Sequence, residues 1–476
     1  MKQNYHPLVL ALIALVIASL ACQAATNTTP AATQVPQQVE TQEPVPTETP
    51  SQPAIEPATL ESKGPGILCV GSGTGLTCLT EDGWKTYTKE NSKLPNNYLS
   101  AGAVCPDGQL AIAHINGVVL FDGKAFKEIP ETKNYSSSEG LACGANGEIW
   151  VAHFKGVSRY SNGQWTTYGS DKLASGESAN DLVYDVKAAP DGKVWAITSR
   201  SVAMFENDQW TIYQEGQGFE GSRFFNALTI DAKGRPWAAH SNGLDVFENG
   251  EWQSIEKNDY NTPESLAVDA KGQVWLGTLT SGVFVFDGNT WTNHDRASEV
   301  LPSNHVTSIS ADSGGRVWLG TSYGLVVYDG ADWQTLLMSN SDLSDNDIDF
   351  VLTTKDGPAT LPALAEKPKG SLTGKLEKAD GTPLADVKVE ICVETLASSF
   401  SGETPCSDQP FFLSTKTNAD GVFLIEDVPA GYYVIVAETG DGWAQLTDQV
   451  GISSERTLIQ AGEKYDIKTL TLDDDK

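Results

Sequence analysis

The feature that most limits what this chain can fold into is a repeat of about forty residues. An aromatic residue, closing a Gly-containing turn or a variant of it, recurs at Trp84, Phe126, Trp165, Trp210, Trp252, Trp291 and Trp333, at intervals of 42, 39, 45, 42, 39 and 42 residues. An apolar pentad recurs ahead of it: IWVAH from Ile149, VWAIT from Val194, PWAAH from Pro236, and VWLGT from Val274 and again from Val317. In the clearest copy, Gly315 to Leu336, strand-sized apolar runs are separated by Tyr323-Gly324 and Asp329-Gly330. Apolar runs divided by Gly and Asp-Gly turns read as an antiparallel meander. A further run, Val306 to Ser310, supplies a fourth strand, so each repeat has strands A to D from the channel outward. Four strands on a period near forty define a propeller blade.

The two ends of the repeat set the blade count. The chain enters the pattern at Gly66-Ile-Leu-Cys-Val, which aligns with strand B and has no strand A before it. At the far end, Asp347 to Gly357 reads as a strand A with nothing blade-like after it. The expected fold is therefore all-β: a seven-bladed propeller over residues 64–358, its last strand completing its first blade, followed by a small β-sandwich. Such closure leaves no open sheet edge.

The VWLGTxxGLxxYDGxxW pattern at 317–333, with LPSNHVTSI at 301–309, resembles the two-component regulator propeller family. The resemblance is clearest in blades 6 and 7. It is weaker in blades 1 and 2, where Cys69 and Ala111 replace the strand-B Trp. It implies an extracytoplasmic binding or sensing domain. After a Pro-rich connector at 359–369 come GSLTGKLEKADGTPLADVKVEIC at 370–392 and TKTNADGVFLIEDVPAGYYVIVAE at 415–438. Alternating runs with Asp-Gly turns make a sandwich. The pattern over 370–476 is similar to the carboxypeptidase regulatory-like domain, which implies a stalk, spacer or adhesion unit.

Residues 1–22 carry Lys2, an apolar run from Leu8 to Ala21 and then Cys22. The run is too short to span a bilayer and suits a signal-peptide core. Ser19-Leu-Ala-Cys22 resembles a bacterial lipobox, with Ser19 where that pattern favours Leu; the resemblance implies cleavage before Cys22 and a lipid on its sulfur. Ordinary cleavage after Ala24 or Ala25 is the alternative. Residues 23–63 are rich in Thr, Pro, Gln and Glu and too poor in large apolar residues to offset ordering entropy, which reads as a stalk. The chain is expected on the bacterial surface or in the periplasm, membrane-anchored and monomeric.

The net charge is −30. That repels phosphate backbones, so no nucleic-acid partner is expected. Outside the reducing cytosol, Cys392 and Cys406 are expected to pair. Cys69 and Cys78 could bridge one hairpin or stay as buried thiols. No CxxC occurs, and neither a cofactor nor a metal is expected.

Candidate ligand-binding residues fall on the face where strand B ends. His114, His153 and His240 hold equivalent strand-B positions in blades 2, 3 and 5, where other blades carry Ser or Thr. Three neutral imidazoles could take a metal, or each could bond a neighbouring loop. The D–A loops offer Tyr98, Tyr184, Arg223, Phe225, Tyr260 and His305, aromatic faces beside polar donors that a glycan, a peptide or a protein could use, or fillers between blades. No nucleophile elbow or paired carboxylate accompanies them. A non-catalytic ligand-binding or sensing protein is the expected function. The alternatives are a lyase- or lactonase-like enzyme using the rim His and a structural adhesion protein.

Overall fold

The computed structural model describes residues 67–472, apart from 81–82, 116, 130–137, 176–181, 220–222, 257–261, 355, 394–403, 408, 441 and 447–455. The leader, the Cys22 site, the stalk and Tyr260 lie outside these residues. Residues 52–476 cluster as one compact unit.

Seven sheets share one plan. Strand A is Leu99–Val104, Ser138–Cys143, Val183–Ala188, Phe225–Ile230, Pro263–Val268 and Val306–Ala311 in blades 2 to 7. Strand B, Leu68–Ser72, Leu110–His114, Ile149–His153, Val194–Thr198, Pro236–His240, Val274–Thr278 and Val317–Thr321, pairs antiparallel with it. In blade 1 the strand beside Leu68–Ser72 is Phe350–Thr353, with Leu68 opposite Thr353 and Gly71 opposite Phe350. The seam extends past the strands: Thr354 donates its N–H to Ile67 O at 2.9 Å, and Ile67 donates to Thr354 Oγ1 at 2.8 Å.

Strand B is buried throughout in every blade because both its faces meet neighbouring sheets. Its Trp is the interblade wedge. Trp150, Trp195, Trp237, Trp275 and Trp318 are at most 2% exposed. Trp150 packs on Phe205 and Trp210 of blade 4, Trp195 on Phe247 and Trp252 of blade 5, and Trp275 on Tyr328 and Trp333 of blade 7. Truncating a wedge of this size costs about 3–5 kcal/mol.

Blades 1 and 2 lack the Trp, and disulfides sit there instead. Cys69 pairs with Cys78 across strands B and C of blade 1. Cys105, in the A–B turn of blade 2, joins Cys143 at the end of strand A of blade 3. Between them a Tyr87, Phe121 and Phe126 cluster fills the join of blades 1 and 2, with centroids 4.5–5.6 Å apart.

The sandwich has two sheets. One orders Val422–Val428, Gly370–Glu377 and Lys464–Thr471; the other orders Phe412–Lys416, Lys388–Cys392, Gly431–Thr439 and Gly442–Leu446. Leu372, Leu376, Val389, Ile391, Phe423, Tyr433, Ile435 and Ile467 make its core. Cys392 and Cys406 are bonded, with Cα atoms 5.5 Å apart, against Val434 and Val436. The connector is strapped to blade 7: Gln334 Nε2 donates to Pro362 O at 2.8 Å, and Ala365 and Lys367 donate N–H groups to Asn340 O and Ser339 O.

Candidate ligand site at one mouth of the channel

Strand A starts and strand B ends at the same end of the propeller. At that end, strand A of every blade from 2 to 7 carries one residue more than its partner. Leu99 faces His114 and Ala101 faces Ala113, so Ser100 is inserted. The same slip inserts Glu139, Tyr184, Asn226, Glu264 and Thr307. Asp349 holds the matching place in blade 1, one residue before Phe350, with its N–H on Gly71 O at 2.9 Å. A bulge re-aims the side chain it inserts. Here Ser100, Tyr184, Asn226, Glu264, Thr307 and Asp349 all line a central channel of about 740 Å³. The seven inserted residues are all polar or bear a hydroxyl, and three are acidic.

Charge gathers at this mouth. Enclosure between the strands raises the Glu264 carboxyl, which has no salt-bridge or hydrogen-bond partner among the described residues. Asp349 is pushed up to about 7, first by burial and then by Asp347 and Asp345. Both side chains are nevertheless open to channel water. Their shifts therefore act in a wet, partly screened site. One layer down, Asp185 accepts from Lys187 Nζ at 2.6 Å and from Val186 N–H at 2.8 Å, and burial raises its carboxyl.

The sandwich borders the same mouth. Arg456 donates to Asp345 at 3.0 and 3.4 Å, lies 3.4 Å from Asp347, and has its guanidinium 5.3 Å from the Tyr432 ring centroid. Asp345 and Asp347 belong to the segment that leads into strand A of blade 1. Burial pushes Asp345 up to about 6 and raises Asp347, with Arg456 opposing in both. Phe411 stacks on Tyr323 of the blade 7 B–C turn, centroids 6.1 Å apart, and touches Tyr433 at 5.5 Å.

The rim imidazoles need correction. His114, His153 and His240 are only 2, 2 and 3% exposed. His153 and His240 serve the B–C turn. Lys155 N–H donates to His153 Nδ1 at 3.3 Å, with Ser158 Oγ 3.0 Å from Nε2; Asn242 N–H donates to His240 Nδ1 at 3.2 Å. Thr321 holds the same turn in blade 7, accepting from Tyr323 N–H and donating to Gly324 O. Burial lowers the His114 pKa and takes that of His153 to about 4. Among the described residues no cluster of three or more His, Cys, Asp or Glu is placed to hold a metal.

Phe225 is also corrected: it is 1% exposed and packs on Phe219 and Trp195 inside the interblade core. Its neighbour Phe224 is the displayed ring, at 53%. Arg223 donates to Asp245 Oδ2 and Ser254 Oγ, each at 3.3 Å, which turns it toward blade 5. His305 is half-buried beside Asp347, and burial lowers its pKa. Tyr98 stands 56% exposed outside the channel. Of the expected residues that are described, Tyr184 alone is among those lining the channel. Glu264 and Asp349 were not singled out by sequence reasoning.

A family model described as "Two component regulator propeller" matches residues 300–323, the entry to blade 7 and its strands A and B. No curated protein matches the chain. Among solved structures it is similar to the extracellular domain assigned to a hybrid two component system of B. thetaiotaomicron, at 20% identity and TM-score 0.46, over 58% of this chain and 40% of that one. It is also similar to PorZ, a surface component of the type-IX secretion system of Porphyromonas gingivalis, at 13% identity and TM-score 0.44, over 82% and 63% of the two chains. A third is virginiamycin B lyase of Staphylococcus aureus, at 12% identity and TM-score 0.43, over 50% and 84%. The chain thus spans less than half the length of the first of these. No helix among the described residues is long and apolar enough to cross a membrane.

Proposed function

We propose that the chain is an extracytoplasmic, membrane-anchored ligand-binding or sensing protein. Its ligand, a glycan or a peptide, enters the propeller channel at the mouth ringed by the inserted residues. One observation carries this reading: strand A spends an extra residue at the same place in blade after blade, and the side chains so gained line one opening. Hydroxyl, amide and carboxylate groups around a channel are the polar complement of a ligand rich in donors. The reading is non-catalytic, and the match to the regulator propeller model at 300–323 supports it.

The test is calorimetric titration of glycan and peptide panels into the whole chain. A ligand that binds the native chain is expected to lose about tenfold or more in affinity in a Glu264→Gln/Asp349→Asn variant, since each pairing with a charged group is worth about 1.5–3 kcal/mol. Undiminished binding in that variant, or turnover of any panel member, would sink the reading. The anchor is proposed at Cys22, and the module at 370–476 keeps its resemblance to the carboxypeptidase regulatory-like domain as a spacer. Metabolic labelling with an alkyne fatty acid is expected to mark the native chain and to leave Cys22→Ser unmarked.

A further inference from the structure

Ten large apolar side chains are exposed among the described residues, and six of them stand at the same end of the propeller. Ile115, Phe154 and Leu279 each follow the last residue of strand B, in blades 2, 3 and 6. Tyr98, Leu182 and Phe224 each precede the first residue of strand A, in blades 2, 4 and 5. Their exposures run from 39 to 56%. Scattered apolar residues need no explanation, but a crown at equivalent positions of five successive blades does.

The rest of the ring shows what covers such a crown. Over blade 7, Tyr323 is only 7% exposed because Phe411 of the sandwich stacks on it. Beside it, Arg456 engages Asp345 and Asp347 and lies next to Gly73 in the B–C turn of blade 1. The established interface thus pairs an aromatic anchor with a guanidinium aimed at the carboxylates of the mouth. Among the described residues the six crown side chains stay exposed over blades 2 to 6, and the B–C turns and D–A loops of this face include Lys155, Arg200 and Arg223 among their cations.

We propose that blades 2 to 6 dock a protein partner by this same pairing: apolar side chains on the crown, and a Lys or Arg directed at the acidic mouth. Three of the six crown residues are aliphatic. They offer a protein surface contact area but give a sugar ring no face to stack on. A chain of net charge −30 steers a basic partner toward itself. The proposal needs no small ligand in the channel and stands apart from the function proposed above.

The probe is a phage-displayed library of random short peptides, selected against the immobilised whole chain and followed by titration of the selected peptides. The expected consensus pairs Phe, Trp or Leu with Lys or Arg. Binding is expected to weaken about tenfold or more in Ile115→Ser/Phe154→Ser/Leu279→Ser. A Phe154→Asp/Phe224→Asp variant provides a second, independent pair, and both variants should keep the native melting temperature. Three results would overturn the proposal. The first is no enriched consensus, or an acidic one. The second is binding unmoved by either variant. The third is another occupant of the crown, seen as glycan-array binding lost in the variants or as a native dimer in sedimentation equilibrium that they dissolve. Glu264→Gln/Asp349→Asn should weaken both modes, whereas the crown variants leave the channel lining intact: peptide binding lost in them with channel-ligand binding retained belongs to the crown, and the reverse pattern to the channel.

Discussion

Asp349 shows how one position can tie the channel to the stability of the ring. Its carboxyl titrates near 7, and those of Asp345 and Asp347 are also raised, against about 3.9 for Asp in an unfolded chain. The folded chain therefore holds more protons than the unfolded one between about pH 4 and 7, and these groups make stability fall as pH rises through that window. Buried neutral imidazoles such as His153 act in the opposite sense, so the contribution must be read as a difference. Asp349→Asn is expected to raise the melting temperature near pH 7.5, to raise it less near pH 5 and to leave it nearly unchanged near pH 3.5, by thermal unfolding at each pH. An equal shift at pH 7.5 and pH 3.5 would refute the assignment. At this scale the sequence was legible in part. The wedge tryptophans announce themselves by their period, whereas Phe224 and Phe225 do not say which of them faces out. An inserted residue in strand A shifts the alternation of faces, and the insertion becomes visible only when six residues of strand A are paired against five of strand B.

Among elements, the joins between blades carry the stability, and they are built in two ways. Blades 3 to 7 use a Trp wedge. Blades 1 and 2 replace it with Cys69 and Ala111, and their joins draw on an aromatic cluster and on one covalent bond between blades. The Cys105–Cys143 bond ties blade 2 to blade 3 across 38 residues of chain. In the loop-entropy account a bridge of that span stabilises by about 4 kcal/mol. Cys105→Ser/Cys143→Ser should lower the denaturant midpoint by a corresponding amount, while retaining strand-rich circular dichroism. A midpoint within error of the native chain would show that packing alone holds this join. Strand order and turn positions were readable from Asp-Gly spacing. Pairing at Cys105 and Cys143 was not, because it depends on the angle between two blades that no local pattern encodes.

For the whole molecule, the notable feature is that the sandwich does not trail from the propeller as a free module. The connector lies along blade 7, and Arg456 binds a wholly buried Asp345. Removing one partner of a buried pair costs roughly 3–5 kcal/mol. Arg456→Ala should thus loosen the sandwich. Hydrogen exchange would rise at Tyr323 and at residues 345–349 while the far side of the ring stays protected. If exchange there is unchanged, the aromatic stack of Phe411 on Tyr323 suffices for docking.

The seam of blade 1 has a mechanical meaning. Leu68–Ser72 is the first strand among the described residues. It is gripped on both edges, by Gly75–Thr80 and by Phe350–Thr353. A pull applied to the chain ahead of Leu68 therefore loads two rows of hydrogen bonds in shear at once, instead of peeling one edge strand at a time. The strand that stitches the ring shut is also the one that resists such a pull.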